Sequence, residues 1–280
     1  MFDTFRNRLE ITGTLKTVTA LRVSAGRSTE PIGSDLPVIK DAFGRPLIPG
    51  SSFKGALRSR LESFLRGIDL QLAEDPSVLS SSSRITQVNA LKERLKDDAL
   101  FNTEILKQTD LASHLFGSPW LASKFQVRDL TVLPDNWFGQ YQERDGVAID
   151  RDTETAADGK LYDFQVVPAG TPFEFKAIVE NAEKHELGLL TIGLHQFETE
   201  QIPLGGGRSR GLGVVRLAIE QLRWFDAEGS PDKLIEYLQR LITKDSTVYV
   251  DVGQNLKDDW IQALIEHLRQ TVSDRATASV

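Results

Sequence analysis

The chain has 280 residues, 40% apolar and 26% charged, and its 33 basic against 40 acidic side chains give a formal net charge of −7. It has no cysteine, which excludes disulfide scaffolds, zinc fingers, iron–sulfur sites and thiol nucleophiles and is consistent with a reducing compartment. No stretch is apolar for long enough to cross a bilayer, and Met1 to Arg6 carry no apolar segment behind a basic start, so the expectation is a cytoplasmic protein without membrane contact.

Residues 8 to 24 alternate loosely around Leu9, Ile11, Leu15, Val18 and Leu21, which predicts one or two strands with Gly13 as a bulge or bend. A loop rich in Gly and Pro runs from Ser24 to Gly50. Ser51 and Ser52 then offer an N-cap to a helix carrying Phe53, Leu57, Leu61 and Leu65 on one face, with Gly67 as its stop. From Ile68 to Gly117 the pattern is helical but interrupted. Pro76 and the serines 80–83 read as an exposed loop, followed by helices over Ile85 to Leu100 and Leu111 to Phe116. This stretch reads as an insertion packed beside the core. Residues 124–133 form one half-buried strand ended by Pro134, and residues 135–160 are polar and irregular. A strand over Pro172 to Val179, a helix over Lys184 to Phe197 and a long strand over Gly211 to Phe225 follow. Two helical patterns, Pro231 to Ile242 and Leu256 to Thr271, precede a small-residue tail expected to be disordered.

Without the insertion the order is strand, helix, strand, strand, helix, strand. That is the α+β order of a ferredoxin-like or RRM-like fold: an antiparallel sheet with two helices on one face and an open face of the kind that often carries single-stranded RNA. Fold alone does not deliver function. The acidic balance argues weakly against nucleic acid, but net charge averages over the surface and is compatible with a local basic groove.

The segment Leu204 to Gly213 holds five glycines and two arginines, Arg208 and Arg210. It matches neither a Walker loop nor a dinucleotide fingerprint; it reads as a flexible connection or as an anion-binding loop, and the arginines favour the second. Lys54 and Arg58 lie four residues apart at a helix start, a phosphate-site pattern that on its own reads better as an ordinary cap with solvated cations and an Arg58–Glu62 pair. Asp35 and Asp41 flank a short apolar run. A loop aspartate beside RNA orients a 2′-hydroxyl, acts as a base or holds a divalent metal, but more often it closes an Asx turn. The four histidines lack metal-ligand spacing and are assigned structural or surface roles. Trp137 with Tyr141 is equally a base-stacking pair or a local anchor.

These pieces, in this order, resemble the RAMP superfamily, and specifically the backbone subunits of type III CRISPR effector complexes. The matching segments are Asp35 to Asp41, Ile48 to Arg58, Leu115 to Ser118 with Val127 to Asp129, Val147 to Ala156, Leu161 to Phe173 and the glycine loop, over roughly residues 8 to 217. The resemblance implies an RRM-like core over 1–225, with the helical insertion at about 68–117, a thumb hairpin at about 134–168 and a C-terminal helical extension over 226–280. It further implies a subunit that lies side by side with other RAMP subunits in a filament and grips a guide RNA backbone while base pairing selects the target RNA. By motif position, Asp35 is the carboxylate for cleavage of the target and the ligand of a divalent metal, Mg2+, and Asp41 is a structural aspartate. Lys54, Arg58, Arg208 and Arg210 are the expected guide-backbone contacts, joined by Lys40, Arg45, Ser51, Gly206, Gly207 and the thumb residue Arg151. Two classes stay open, an endoribonuclease subunit and a non-catalytic scaffold that binds guide RNA. A guide-processing endonuclease is disfavoured, because no histidine occupies an N-terminal catalytic loop.

Overall fold

A computed structural model describes residues 4–24, 26, 34–149, 156–243 and 245–278. In chain order the strands and helices are β1 (Asn7–Thr17), β2 (Leu47–Ile48), α1 (Gly50–Ile68), α2 (Pro76–Leu79), α3 (Ser82–Leu95), α4 (Asp98–Lys107), α5 (Leu111–Phe116), β3 (Phe125–Val127), β4 (Leu130–Thr131), β5 (Gln142–Ile149), β6 (Ala156–Val166), β7 (Pro172–Glu180), α6 (Lys184–Glu198), β8 (Val215–Asp226), α7 (Pro231–Thr243), β9 (Val250–Asp251) and α8 (Gln254–Ala278). The main sheet is antiparallel in the order β3-β7-β1-β8-β9. Removing β9 leaves the ferredoxin-like arrangement the sequence predicts.

Strict alternation on β1 sends Leu9, Ile11 and Leu15 under the helices. The register to β8 shifts at Gly13, but the extra residue is Glu220 on β8, opposite Gly13, and a Cβ on Gly13 would lie 2.3 Å from the Ala218 carbonyl oxygen. Phe53 of α1 stacks on Phe197 of α6 at 4.3 Å and tilts against Phe175 of β7 at 4.9 Å, joining both helices to the sheet.

Several boundaries differ from expectation for identifiable reasons. Helix α1 starts at Gly50 and takes its cap from Asp129, whose Oδ1 accepts the Gly50 N–H at 2.8 Å, and not from Ser51 or Ser52. The same loop divides the expected 124–133 strand: β3 pairs with β7, whereas β4 turns away to pair with β2. The helix runs past Gly67 to Ile68. Strand β8 begins at Val215, because Gly211 and Gly213 have φ of +79° and +86°. In the insertion, Pro76 begins a helical turn, Ser81 caps α3, and Lys96 in the left-handed region separates α3 from α4. Helices α3 and α4 share a small core of Val88, Leu91 and Ile105, whereas Leu111, Ala112, Leu115 and Phe116 of α5 belong to the main core.

The C-terminal segment is integral to the fold. Gly188 of α6 lets α8 approach so closely that a Cβ there would meet the Trp260 carbonyl oxygen at 2.2 Å, and Trp260 and Leu264 are buried in the main core. Helix α8 continues through Ala278, where a disordered tail is expected from the sequence. The open face of the sheet is not a stacking platform. Glu10 accepts hydrogen bonds from Arg8, Arg223 and Tyr249, and Arg8 also binds Glu180. Nearby, Phe5, Phe225 and Tyr237 stack on one another.

Beneath α5 and α6, Lys124 donates to both oxygens of Glu186 at 2.6 Å, and both side chains are buried. Burial opposes ionisation of Glu186, but His114 and Lys124 outweigh it and hold its pKa at about 2. His185 and His267 stack at 4.2 Å between α6 and α8. Burial, then the neighbouring His267 and His114 respectively, lowers the pKa of each; His114 itself is raised, the Glu186 and Leu106 contacts outweighing its burial.

Two outcomes follow from this packing. Trp260→Ala is expected to cost about 3–5 kcal/mol in denaturant unfolding, since it empties the α6–α8 contact. The His185–His267 pair contributes stability that is present above the ordinary imidazole value of about 6.5 and is lost as pH falls toward the folded values, while His114 acts with the opposite sign. His267→Gln should therefore flatten the loss of stability on acidification from about pH 7 to 5.5, read from urea midpoints.

Candidate nucleic-acid interface

Residues 20–24, after β1 and a bend at 18–19, run extended between three irregular segments. On one side Gly206 N–H donates to the Arg22 carbonyl at 2.8 Å and Gly213 N–H to the Ala20 carbonyl at 2.9 Å. A Cβ on Gly205 would lie 2.1 Å from the Arg22 oxygen, and one on Gly213 2.0 Å from the Leu204 oxygen, both at positive φ. The glycine run is thus a fixed loop and not a slack connector. Gly207 is left-handed and Arg208 begins a 3-10 turn, a sequence of conformations that points successive N–H groups into one concavity. The N–H groups of Gly207, Arg208 and Ser209 donate to nothing among the described residues, so the loop offers three free donors to an anion. Gly206, by contrast, spends its N–H on Arg22 and offers only open space above its Cα.

On the other side stands the root of the β5–β6 hairpin, a separate two-stranded sheet at the place expected for the thumb. Arg210 donates to the Tyr162 hydroxyl at 3.1 Å, and the Arg22 guanidinium lies over the Phe164 ring at 4.7 Å. The Arg210 hydrogen bond, with the Arg210 and Arg22 charges, lowers the Tyr162 pKa. Arg22, Arg208 and Arg210 have no carboxylate partner among the described residues, a strong contrast with Arg8, Arg45, Arg58 and Arg223, which all do.

Asp35 reaches the same hairpin root. Its N–H donates to Asp163 Oδ1 at 2.7 Å, the Leu36 carbonyl accepts from Gln165 N–H at 3.1 Å, and Leu36 packs with Tyr162, Phe164, Val166 and Leu212. The Asp35 carboxylate itself has no hydrogen bond or ion pair among the described residues. No group of three His, Asp or Glu side chains able to hold a metal occurs among them. One free carboxylate suits Mg2+, which is held by one or two carboxylates with substrate phosphates and water completing the shell.

The other expected contacts lie elsewhere. Lys54 donates to Ser123 Oγ at 2.7 Å, and burial, then the Arg58 charge, lowers its pKa. Arg58 is occupied by Glu62, the Gly117 carbonyl and Ser113, on the wall of a cleft of about 700 Å³ between α1 and residues 116–123. Ser51 is exposed, and Asp129 already takes the first N–H of α1, which removes the helix-start phosphate site in its simplest form. Lys40 lies over the Tyr141 ring at 4.4 Å, and Arg45 pairs with Asp41, which also accepts from the Phe43 and Arg45 N–H groups and so closes a turn. Tyr141 bonds the Gly44 carbonyl and packs on Trp137, so this aromatic pair anchors the loop; burial and then the Asp41 charge push the Tyr141 pKa up to about 12. Arg151 lies outside the described residues. The sequence reading missed Arg22, Tyr162, Phe164 and Asp163. The signals present were an arginine between two buried residues of an alternating run and two aromatics at i, i+2 on a strand.

The glycines separate cleanly in their expected tolerance. Gly213→Ala should cost about 1–3 kcal/mol, whereas Gly206→Ala should leave stability within about 0.5 kcal/mol of wild type, as measured by thermal denaturation.

The sequence model of the RAMP superfamily matches residues 14–216. Among curated proteins, the CRISPR system Cms endoribonuclease Csm3 of Enterococcus italicus is 25% identical over 77% of this chain and 92% of its own length. The protein of the same name from Streptococcus thermophilus is 26% identical over 85% of this chain and 98% of its own. That of Methanocaldococcus jannaschii is 26% identical over 76% and 79%. The matched span contains the glycine loop, the β5–β6 hairpin and the Asp35 loop, and this chain belongs to the RAMP superfamily.

Proposed function

We propose that this chain is a guide-RNA-binding backbone subunit of a type III CRISPR ribonucleoprotein in the cytoplasm, and that it cleaves the complementary target RNA. The observation that carries this reading is the juxtaposition of the Asp35 carboxylate, unpaired among the described residues, and an anion-binding loop on the two sides of one hairpin root. The names of the relatives support it. The nest at Gly207 to Ser209, with Arg208, Arg210 and Arg22, takes guide phosphates by charge and backbone geometry, which are blind to sequence. Lys40, Arg45, Lys54 and Arg58 contribute only where RNA displaces their present partners. The hairpin is the thumb that interrupts the guide–target duplex, and like subunits stack side by side along the guide.

In this reading the target RNA carries its own nucleophile. The 2′-hydroxyl oxygen attacks the adjacent phosphorus as its proton passes to Asp35 or to water, the bond to the 5′-oxygen breaks, and that oxygen takes a proton from water, leaving a 2′,3′-cyclic phosphate and a 5′-hydroxyl. In this role Asp35 accepts the 2′-hydroxyl proton or holds a divalent cation. That cation, when bound, supplies charge stabilisation to the phosphoryl oxygens. The chain itself fixes the carboxylate against the hairpin root and holds the strand by its backbone.

Target cleavage by the guide-loaded complex, with and without Mg2+, tests the reading. Asp35→Ala should lower cleavage beside this subunit by about 100-fold or more while guide and target binding persist. An unchanged cutting pattern would identify the chain as a scaffold whose neighbours hold the active sites.

A further inference from the structure

Among the described residues the Asp35 carboxylate has no partner, but the backbone beneath it does. Its N–H is taken at 2.7 Å by Asp163 Oδ1, a side chain on β6 at the hairpin root, 128 residues away in sequence. This hydrogen bond ends on a side-chain carboxyl oxygen and not on a backbone carbonyl. The next residue continues the attachment: Leu36 bridges Phe164 in parallel register, its carbonyl accepts from Gln165, and its side chain enters the small cluster of Phe164, Val166 and Leu212. Together these contacts make residues 35–36 a one-step extension of the β5–β6 sheet.

Asp163 also stands where an ordinary strand position would avoid a carboxylate. Its direct cross-strand neighbour on β5 is Asp145, so two like charges face each other on one side of the ladder, an unfavourable pair. Strand pairing does not account for this acid; the Asp35 N–H is the hydrogen-bond donor it has among the described residues.

We infer that Asp163 is a positioning residue for Asp35, fixing the loop carboxylate to the root of the hairpin so that the reacting group and the thumb move as one body. The inference rests on the reading of Asp35 proposed above. Asp163 acts through its acceptor oxygen. An asparagine keeps that oxygen, removes the repulsion with Asp145, and should preserve function.

The experiment compares Asp35→Ala, Asp163→Ala and Asp163→Asn in the guide-loaded complex. It measures cleavage at saturating target, the target concentration dependence, and amide hydrogen exchange of residues 34–38. Asp163→Ala is expected to slow cleavage at saturating target by about 10- to 100-fold with the half-saturating concentration unchanged, and to speed exchange of the segment. Asp163→Asn should stay within about threefold of wild type in rate and keep the protection. The inference is overturned if Asp163→Ala cuts at the wild-type rate while Asp35→Ala is inactive. It is equally overturned if exchange is unaltered in Asp163→Ala, or if Asp163→Asn falls as far as alanine, which would assign the carboxylate charge a direct role. Wild-type cleavage by Asp35→Ala would instead remove the reading of Asp35 itself, whatever Asp163 does.

Discussion

Everything proposed for the interface hangs on the backbone of residues 20–24. Leu21 exchanges hydrogen bonds with Val167 at the foot of the hairpin, the Val23 carbonyl accepts from Ile39 beyond the Asp35 loop, and the Ala20 and Arg22 carbonyls accept from the glycine loop. One short extended segment therefore fixes three irregular ones. Loops ordinarily hold function at the cost of mobility, and here the cost is reduced by tying each loop to a common strand-like spine. Leu21 and Val23 anchor that spine in the core, so Arg22 between them is turned outward over Phe164.

The electrostatics follow from what is paired and what is not. A net charge of −7 describes the whole chain, but the open face of the sheet consumes its arginines in contacts with Glu10 and Glu180. Arg58 and Arg66 share Glu62. At the interface Arg22, Arg208 and Arg210 meet carbonyl, hydroxyl and ring, none of which cancels a positive charge. Three arginines thus keep their charge inside an acidic protein because none of them pairs with a carboxylate among the described residues, even though Asp35 and Asp163 stand at the same hairpin root, and their field falls off within about a Debye length.

Much of this was legible in the sequence because it depends on local pattern. Alternation predicts β1 and β7, the 3–4 spacing of Phe53, Leu57, Leu61 and Leu65 predicts α1, and the glycine–arginine run points to an anion loop. What escaped depends on partners remote in sequence. Asp129 caps α1 from 79 residues away and in doing so splits β3 from β4, so the local serines mislead. Arg58 reads as a solvated cation or an RNA contact until Ser113 and Gly117 are brought beside it. The helix through Ala278 looks like a weak tail because its reason for being ordered, the Trp260 contact with α6, lies further back along the same helix.

The distribution of aromatic side chains bears on how such a subunit selects its RNA. An RRM that reads bases needs rings exposed on the open face. Here Phe225, Tyr237 and Phe5 of that side are stacked on one another, Tyr249 is committed to Glu10, and Tyr162 and Phe164 face arginines. Among the described residues, the groups at the hairpin root with no protein charge partner are backbone N–H groups, guanidinium groups and the Asp35 carboxylate, all of which address phosphate, ribose or a cation. A surface of this composition distinguishes RNA by its backbone and 2′-hydroxyls and leaves the bases to pair with another strand. Among the described residues, the rings of the open face and of the hairpin root are thus committed to protein contacts, which agrees with the guide-directed activity proposed above, in which base pairing and not the protein reads sequence.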